Sequence, residues 1–250
     1  MARKSKKTPE RLPAGSGWSH ARIAAALGGE ILSGARPPGS RLPSVEEMNT
    51  RFGVSRVVVR EVVKTLTAKG LVASRTRVGT VVRDPGAWNW LDAEVLEWRV
   101  QMGLDQSFLE QIVAVRGVIE PAAAAMAARH RTAADMARLR DCMEAMRRAE
   151  GDSHRFAEAD LAFHLAVGQA SGNPLVGSFA PVIRVALKGF FALSAASLKQ
   201  IEKGHAGASA RQGAIVTAIG ARDEDAARAA MLRVIAGGQK HAGRGLRDKG

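Results

Sequence analysis

From Ser19 onward, HARIAAALGGEILSG sets Ile23, Leu27 and Ile31 four residues apart. That is one face of an amphipathic helix, with Ser19 as N-cap and Gly34 as its stop. The turn-rich RPPGSRLPS connects it to a short helix, VEEMNTRF, which Ser44 caps with Glu47 at the capping-box spacing and Gly53 breaks. The next stretch, FGVSRVVVREVVKTL, carries three consecutive valines and first suggests a strand. Strand alternation, however, would put Arg56, Val58 and Arg60 on one face and mix charge with apolar groups. At helical spacing Val58, Val59, Val62, Val63 and Leu66 gather on one side, apart from Arg56, Arg60 and Lys64. The pattern predicts a helix over Arg56–Lys69, capped by Ser55 and ended by Gly70, with packing overriding modest β-branched propensity. LVASRTRVGTVVRD then reads as a β-hairpin: Leu71-Val72, a basic turn Arg75-Thr76-Arg77, Gly79, and a strand Thr80–Val82.

Helix, short helix, tight turn, helix and basic hairpin make a winged helix-turn-helix over residues 18–84. Helix-start signals recur further on at Asp105, Thr132, Asp152, Asn173-Pro174 and Asp223, with long apolar-periodic segments between them. The expected fold is mainly α: the winged helix-turn-helix followed by an all-α bundle of six or seven helices over 105–242. Residues 85–104 read as an interdomain linker whose Trp88, Trp90, Leu91 and Trp98 pack one domain on the other. Gly204–Gly207 reads as a loop, 1–17 as a disordered basic arm and 243–250 as a flexible tail.

Charge sharpens this division. Residues 1–84 hold 16 Lys/Arg against 6 Asp/Glu, whereas 85–250 hold 21 against 18. A basic first third on a nearly neutral remainder points to a polyanion-binding module attached to a second function. Cys142 is the only cysteine, so no intrachain disulfide can form, and a reducing, cytoplasmic setting is expected. The basic N-terminus is followed by no apolar stretch of a secretory signal, and no run of about 18 apolar residues predicts a membrane span.

A recognition helix needs long donors near its N-terminus, where they reach base edges or phosphates. Ser55, Arg56 and Arg60 are placed for that. Ser44, Arg75, Arg77, Gly79 and Thr80 are the expected accompanying DNA contacts, and Lys64, further along the helix, faces phosphate or solvent. One such motif reads a short half-site, so double-stranded operator DNA would be bound by a homodimer on a palindrome.

The stretch PGSRLPSVEEMNTRFGVSRVVVREVVKTLTAKGLV resembles the GntR family of bacterial transcription regulators, and the similarity covers 19–84. The resemblance implies that Arg56, Arg60, the wing glycine and its neighbours contact operator DNA. Many members carry Arg where this chain has Glu46. The segments 115–130, 159–176 and 214–231 resemble the all-helical FCD effector domain of the fatty-acid-regulator branch. Within that branch, AWNWLDAEVLEW looks like the linker of galactonate-operon repressors and related sugar-acid regulators.

In the second domain, Asp160 and His164 stand four apart and face the same way, as a hydrogen-bonded pair or as two metal ligands. Arg116 and Glu120 are a second such pair on an otherwise apolar helix, either an intrahelical ion pair or an anion site. Arg184, on a markedly apolar helix, is another anion-binding candidate. The FCD resemblance implies a divalent metal held by an Asp and three His. Here Asp160 and His164 match, but Gln212 and Val234 stand where the other two His are expected, and His205 is unplaced. Two strong ligands predict at most a weakly held Zn, Ni or Mn ion. The expected effector is a small hydroxylated carboxylate, such as a sugar acid, held by Arg116, Glu120, Asp160, His164, Arg184 and Gln212. Two other classes remain. A metal hydrolase or lyase using Asp160 and His164 lacks a third strong ligand, an obvious nucleophile and a Gly-rich phosphate loop. A non-specific nucleic-acid binder leaves the helical domain unexplained.

Overall fold

The computed structural model describes residues 18–103, 105–149, 151–194 and 198–247, with side chains except at 106, 189–208 and 239–247. It divides between Met102 and Gly103 into two compact units. The first contains α1 (His20–Leu32), α2 (Val45–Phe52), α3 (Arg56–Ala68), β1 (Val72–Arg75), β2 (Gly79–Val82), a 3-10 turn at Pro85–Ala87 and α4 (Ala93–Gln101).

The caps form as the side chains dictate. Ser19 Oγ accepts from the Arg22 amide, and Ser44 with Glu47 closes a capping box. Ser55 Oγ accepts from the Val58 amide. Gly53 ends α2 in the left-handed region at φ 67°, which lets Ser55 cap the start of α3 two residues later. On α3, Val59, Val62 and Leu66 are buried against Ile23, Leu27, Ile31, Met48 and Phe52. The valines are therefore a helix stripe, not a strand. β1 and β2 pair antiparallel, Val72 with Val82 and Arg75 with Gly79. The connector before α2 also joins the wing: the Leu42 amide donates to the Thr80 carbonyl at 2.9 Å and the Val82 amide to the Ser40 carbonyl at 2.9 Å.

Residues 85–101, expected as a linker, are fixed on the first unit, and Trp98 belongs to its core. The cause is Lys69, a buried cation at the end of α3. It donates to Asp92 Oδ1 and Glu94 Oε2, each at 2.7 Å, and lies 5.3 Å from the Trp98 ring centroid. Burial disfavours its charge, but the carboxylates of Asp92 and Glu94 outweigh that and raise its pKa above the ordinary 10.5. Asp92 also caps α4 through the Glu94 and Val95 amides. Trp98 lies over Gly28, where an added Cβ would come within 2.3 Å of the indole. Trp90 and Leu91 are exposed, and Trp88 Nε1 donates to the Arg83 carbonyl at 2.9 Å.

The second unit holds α5 (Gln106–His130), α6 (Ala133–Arg148), α7 (Ser153–Ala170), α8 (Pro174–Gly177), α9 (Ala180–Ser194), α10 (Leu198–Gly220) and α11 (Glu224–Arg247). Asp105, Thr132, Asp152 and Asn173 cap their helices, and Asp223 Oδ1 accepts from the Ala226 amide at 2.9 Å. The core joins α5, α6, α7, α10 and α11 through Ala124, Leu139, Met146, Phe163, Ile215, Ile219 and Met231. Gly204–Gly207, expected as a loop, lies inside α10, and α11 runs past Gly243 to Arg247. Glycine disfavours a helix by about 1 kcal/mol each but does not forbid it. The predicted arm, residues 1–17, lies outside the described residues, as do 248–250 of the predicted tail.

Along α5, Ser107–His130 is long and apolar enough to cross a membrane, with a mean hydropathy of 1.3 in its most apolar window. Arg116 and Glu120 interrupt this stretch, so it holds no unbroken apolar run of spanning length. Half of that window is buried by neighbouring helices, as in the core helix of a bundle.

Replacing Gly28 by Ala drives a methyl into the Trp98 ring. We expect the first unit to lose about 1–3 kcal/mol. All four tryptophans lie in this unit, so fluorescence-detected urea unfolding reads it directly. An unchanged midpoint would show that α4 is not anchored there.

Candidate nucleic-acid interface and buried polar cluster

The cations of the first unit fall into two groups. Arg36 and Arg51 close on Glu30 at 2.8 and 2.6 Å and tie α1 to the connector and to α2. Burial would raise the Glu30 pKa, but these two guanidiniums more than offset it and hold the carboxyl low. With Lys69, these cations build the fold. Arg60, Arg75 and Arg77 are exposed and form no ion pair among the described residues, and the same holds for Arg41 and Arg83 beside the wing. The sequence reading did not single out the last two, which flank the hairpin without belonging to its turn.

Arg56 opens α3, and its Nη2 stands 3.8 Å from Glu46 Oε1 on α2, with both side chains largely exposed. Lys64 is engaged by Glu61 at 2.8 Å. The Ser44 and Ser55 hydroxyls accept from backbone amides as N-caps and keep a proton to donate. In the wing, Arg77 takes a left-handed φ of 62° and Gly79 one of 100°, with open space where a Gly79 Cβ would stand. Thr80 is half-buried. A backbone can approach a phosphate closely at such a glycine.

In the second unit, Arg116, Glu120, Asp160, His164 and Gln212 are buried together, from α5, α7 and α10. Arg116 Nε donates to Glu120 Oε1, and Glu120 Oε2 is hydrogen-bonded to His164 Nδ1. His164 Nε2 lies 3.6 Å from Asp160 Oδ1, which also accepts from Gln212 Nε2. Burial alone would raise the Glu120 pKa, yet the charges of His164 and Arg116 lower it to about 2. Burial pushes Asp160 up, and His164, Arg116 and Gln212 do not cancel it. Glu120 is thus the fixed anion and Asp160 the carboxyl suited to carrying a proton. Gln212, only 1% exposed, leaves its Oε1 without a hydrogen-bond partner among the described residues, and the same holds for the buried Ser209 Oγ one turn earlier.

Arg184 does not join this cluster. α9 buries Val182, Ile183, Val185, Ala186 and Leu187 and turns Arg184 to its exposed side. Val234 is half-buried against the apolar core and offers no donor. The His205 side chain lies outside the described residues. The Glu120–His164 bond spans 44 residues and two helices, so no local spacing revealed it.

A divalent cation would find two strong donors one turn apart, Asp160 and His164. Gln212 offers an amide whose NH2 is turned to Asp160, and Val234, where the family resemblance implies another ligand, carries no donor atom. Among the described residues no three His, Cys, Asp or Glu are grouped to hold a metal. This donor set does not fit a tightly bound metal.

A winged helix-turn-helix whose exposed arginines include several with no ion pair among the described residues, followed by a helical bundle with a buried polar cluster, is the arrangement of a DNA-binding protein with a second domain. Residues 20–82 match the model of the gntR family of bacterial regulatory proteins, and 111–237 match that of the FCD domain. The galactonate operon transcriptional repressor of Escherichia coli K12 is 32% identical over 219 residues, covering 86% of this chain and 93% of that protein. The uncharacterized HTH-type regulator YieP of the same organism is 37% identical over 68% of this chain and 74% of its own. Among solved structures, Lar of Listeria monocytogenes aligns with a TM-score of 0.62 at 20% identity, over 92% of this chain and 99% of that one, a likeness of fold. The chain belongs to the GntR family, with an FCD domain after its winged helix-turn-helix. It is a DNA-binding transcription regulator, not an enzyme.

Glu120→Gln removes the anion from between Arg116 and His164. We expect a loss of about 3–5 kcal/mol in the second unit, followed by far-UV ellipticity in urea. A loss under about 1 kcal/mol would make the pair no more important than one on the surface.

Glu46→Gln frees Arg56 for phosphate. Binding to scrambled duplex should tighten, with a salt slope steeper by up to about one, while the preference for operator narrows. Anisotropy over a salt series checks this, and an unchanged slope contradicts it.

Proposed function

We propose that this chain is a homodimeric, cytoplasmic repressor whose operator binding is relieved by a small hydroxylated carboxylate, a sugar acid such as galactonate. The carrying observation is the buried cluster of Arg116, Glu120, His164, Asp160 and Gln212, whose Gln212 Oε1 has no partner among the described residues, set in an otherwise apolar bundle. An apolar core has no use for an orphaned acceptor, whereas a ligand hydroxyl would satisfy it. Arg116 supplies positive charge toward a carboxylate, and His164 and Asp160 supply polar groups for the ligand's hydroxyls. The likeness to the galactonate repressor over most of both chains supports the choice of acid. No metal is needed in this reading, and any divalent ion would be weakly held on Asp160 and His164.

On DNA, Arg56 and Arg60 enter the major groove from the start of α3, Arg75, Arg77 and the Gly79 backbone follow the wing, and Ser44, Ser55, Lys64 and Thr80 hold the phosphates. Two copies set half-sites about one helical turn apart. Effector binding need favour bundle states that misplace the two recognition helices by only about 1–3 kcal/mol to change operator occupancy.

Fluorescence anisotropy on DNA from upstream of its own gene, near physiological salt and against scrambled duplex, tests this reading. We expect sequence-dependent binding that one sugar acid of a panel including galactonate releases. Specific binding that ignores every acid overturns the effector assignment. Equal binding to scrambled DNA overturns the repressor reading.

A further inference from the structure

The exposed positions of α3 are Arg56, Val57, Arg60, Glu61, Lys64, Thr67 and Ala68. Val57 is the one large aliphatic among them, and it is 69% exposed. It plays no part in the core, whose α3 contribution is Val59, Val62 and Leu66, with Val58 and Val63 partly buried against them. Nor does local structure call for it. Valine is a weaker helix former than the lysine, glutamate or alanine an exposed helical site usually carries, because its χ1 freedom is lost against the preceding turn.

A single exposed valine would be unremarkable on most surfaces. Here its company matters. Within residues 18–84 the exposed large hydrophobics are Val57 and Val78, and Val78 is the wing-turn residue between Arg77 and Gly79. Both lie on the two basic elements. Val57 is the second residue of the recognition helix, directly after Arg56 and one turn before Arg60. The first turn of such a helix is the part that meets base edges. There a side chain without donors or acceptors has one base-specific partner in the major groove, the C5-methyl group of thymine.

We propose that Val57 is a specificity-determining residue that reads a thymine methyl beside the base edges reached by Arg56 and Arg60. The assignment rests on the DNA-binding reading above. Glu46 stands 3.8 Å from the Arg56 guanidinium, beside the first helical turn that also carries Val57. The operator half-site then contains at least one thymine whose methyl, and not merely its hydrogen-bonding edge, is required.

Full-length protein is used to select an operator from a randomised duplex pool. Each thymine of the selected half-site is then replaced by uracil, which removes the methyl alone. Affinities are measured for the wild type and for Val57→Ala, an exposed change that leaves the core intact. The wild type should lose roughly three- to tenfold at one thymine per half-site, as expected for losing one buried methyl contact. Val57→Ala should bind thymine and uracil duplexes alike at that position. If no thymine-to-uracil change weakens the wild type, or the same loss persists in Val57→Ala, the assignment is overturned while the DNA-binding reading stands. A chain that selects no sequence overturns both.

Discussion

A charge withdrawn from water must find its counter-charge, and that constraint organises both units of this protein. In the first unit Lys69 is buried at the end of the recognition helix, and its partners Asp92 and Glu94 belong to the next segment. Because the cation cannot be left alone, that segment folds back and brings Trp98 onto Gly28. In the second unit Arg116 and Glu120 break an apolar helix stripe, and His164 and Asp160 from α7 close around them. The same rule builds an anchor in one place and a buried polar network in the other.

Pairing also sorts the basic residues by task. Arg36, Arg51 and Lys69 are consumed by Glu30, Asp92 and Glu94 and hold helices together. Arg60, Arg75 and Arg77 form no ion pair among the described residues and lie on α3 and the wing. Net charge alone could not make this distinction, since both groups count equally in it. Glu46 marks the boundary between them: it approaches Arg56 without burying it, restraining one arginine of the interface while leaving it available.

Much of this was legible in the sequence because local rules govern helix ends. Ser19, Ser44, Ser55, Asp105, Thr132, Asp152 and Asn173 all cap where their spacing to the next apolar stripe indicates. The valine run resolved into a helix because charge segregation is decided within one turn. What escaped depends on distant partners. The segment 85–101 looks like a linker until Lys69 is seen to need its acids. Arg184 looked inward because its neighbours are apolar, but α9 turns that one position outward. The glycines at 204 and 207 looked like a loop because propensity was weighed without the length of the surrounding helix. Asp160, His164, Arg116, Glu120 and Gln212 were each legible as polar outliers in apolar stripes. Their closure into one network was not, since Glu120 meets His164 across two helices.

In the proposed reading the effector is held by this network of protein groups, with Gln212 and Val234 where a tight metal site would need further donors. The most direct measurement is a calorimetric titration of Zn²⁺ into protein stripped with chelator, repeated with His164→Ala. No saturable site tighter than about 1 μM is expected in the wild type. A stoichiometric site tighter than that, abolished by His164→Ala, would contradict the proposed reading.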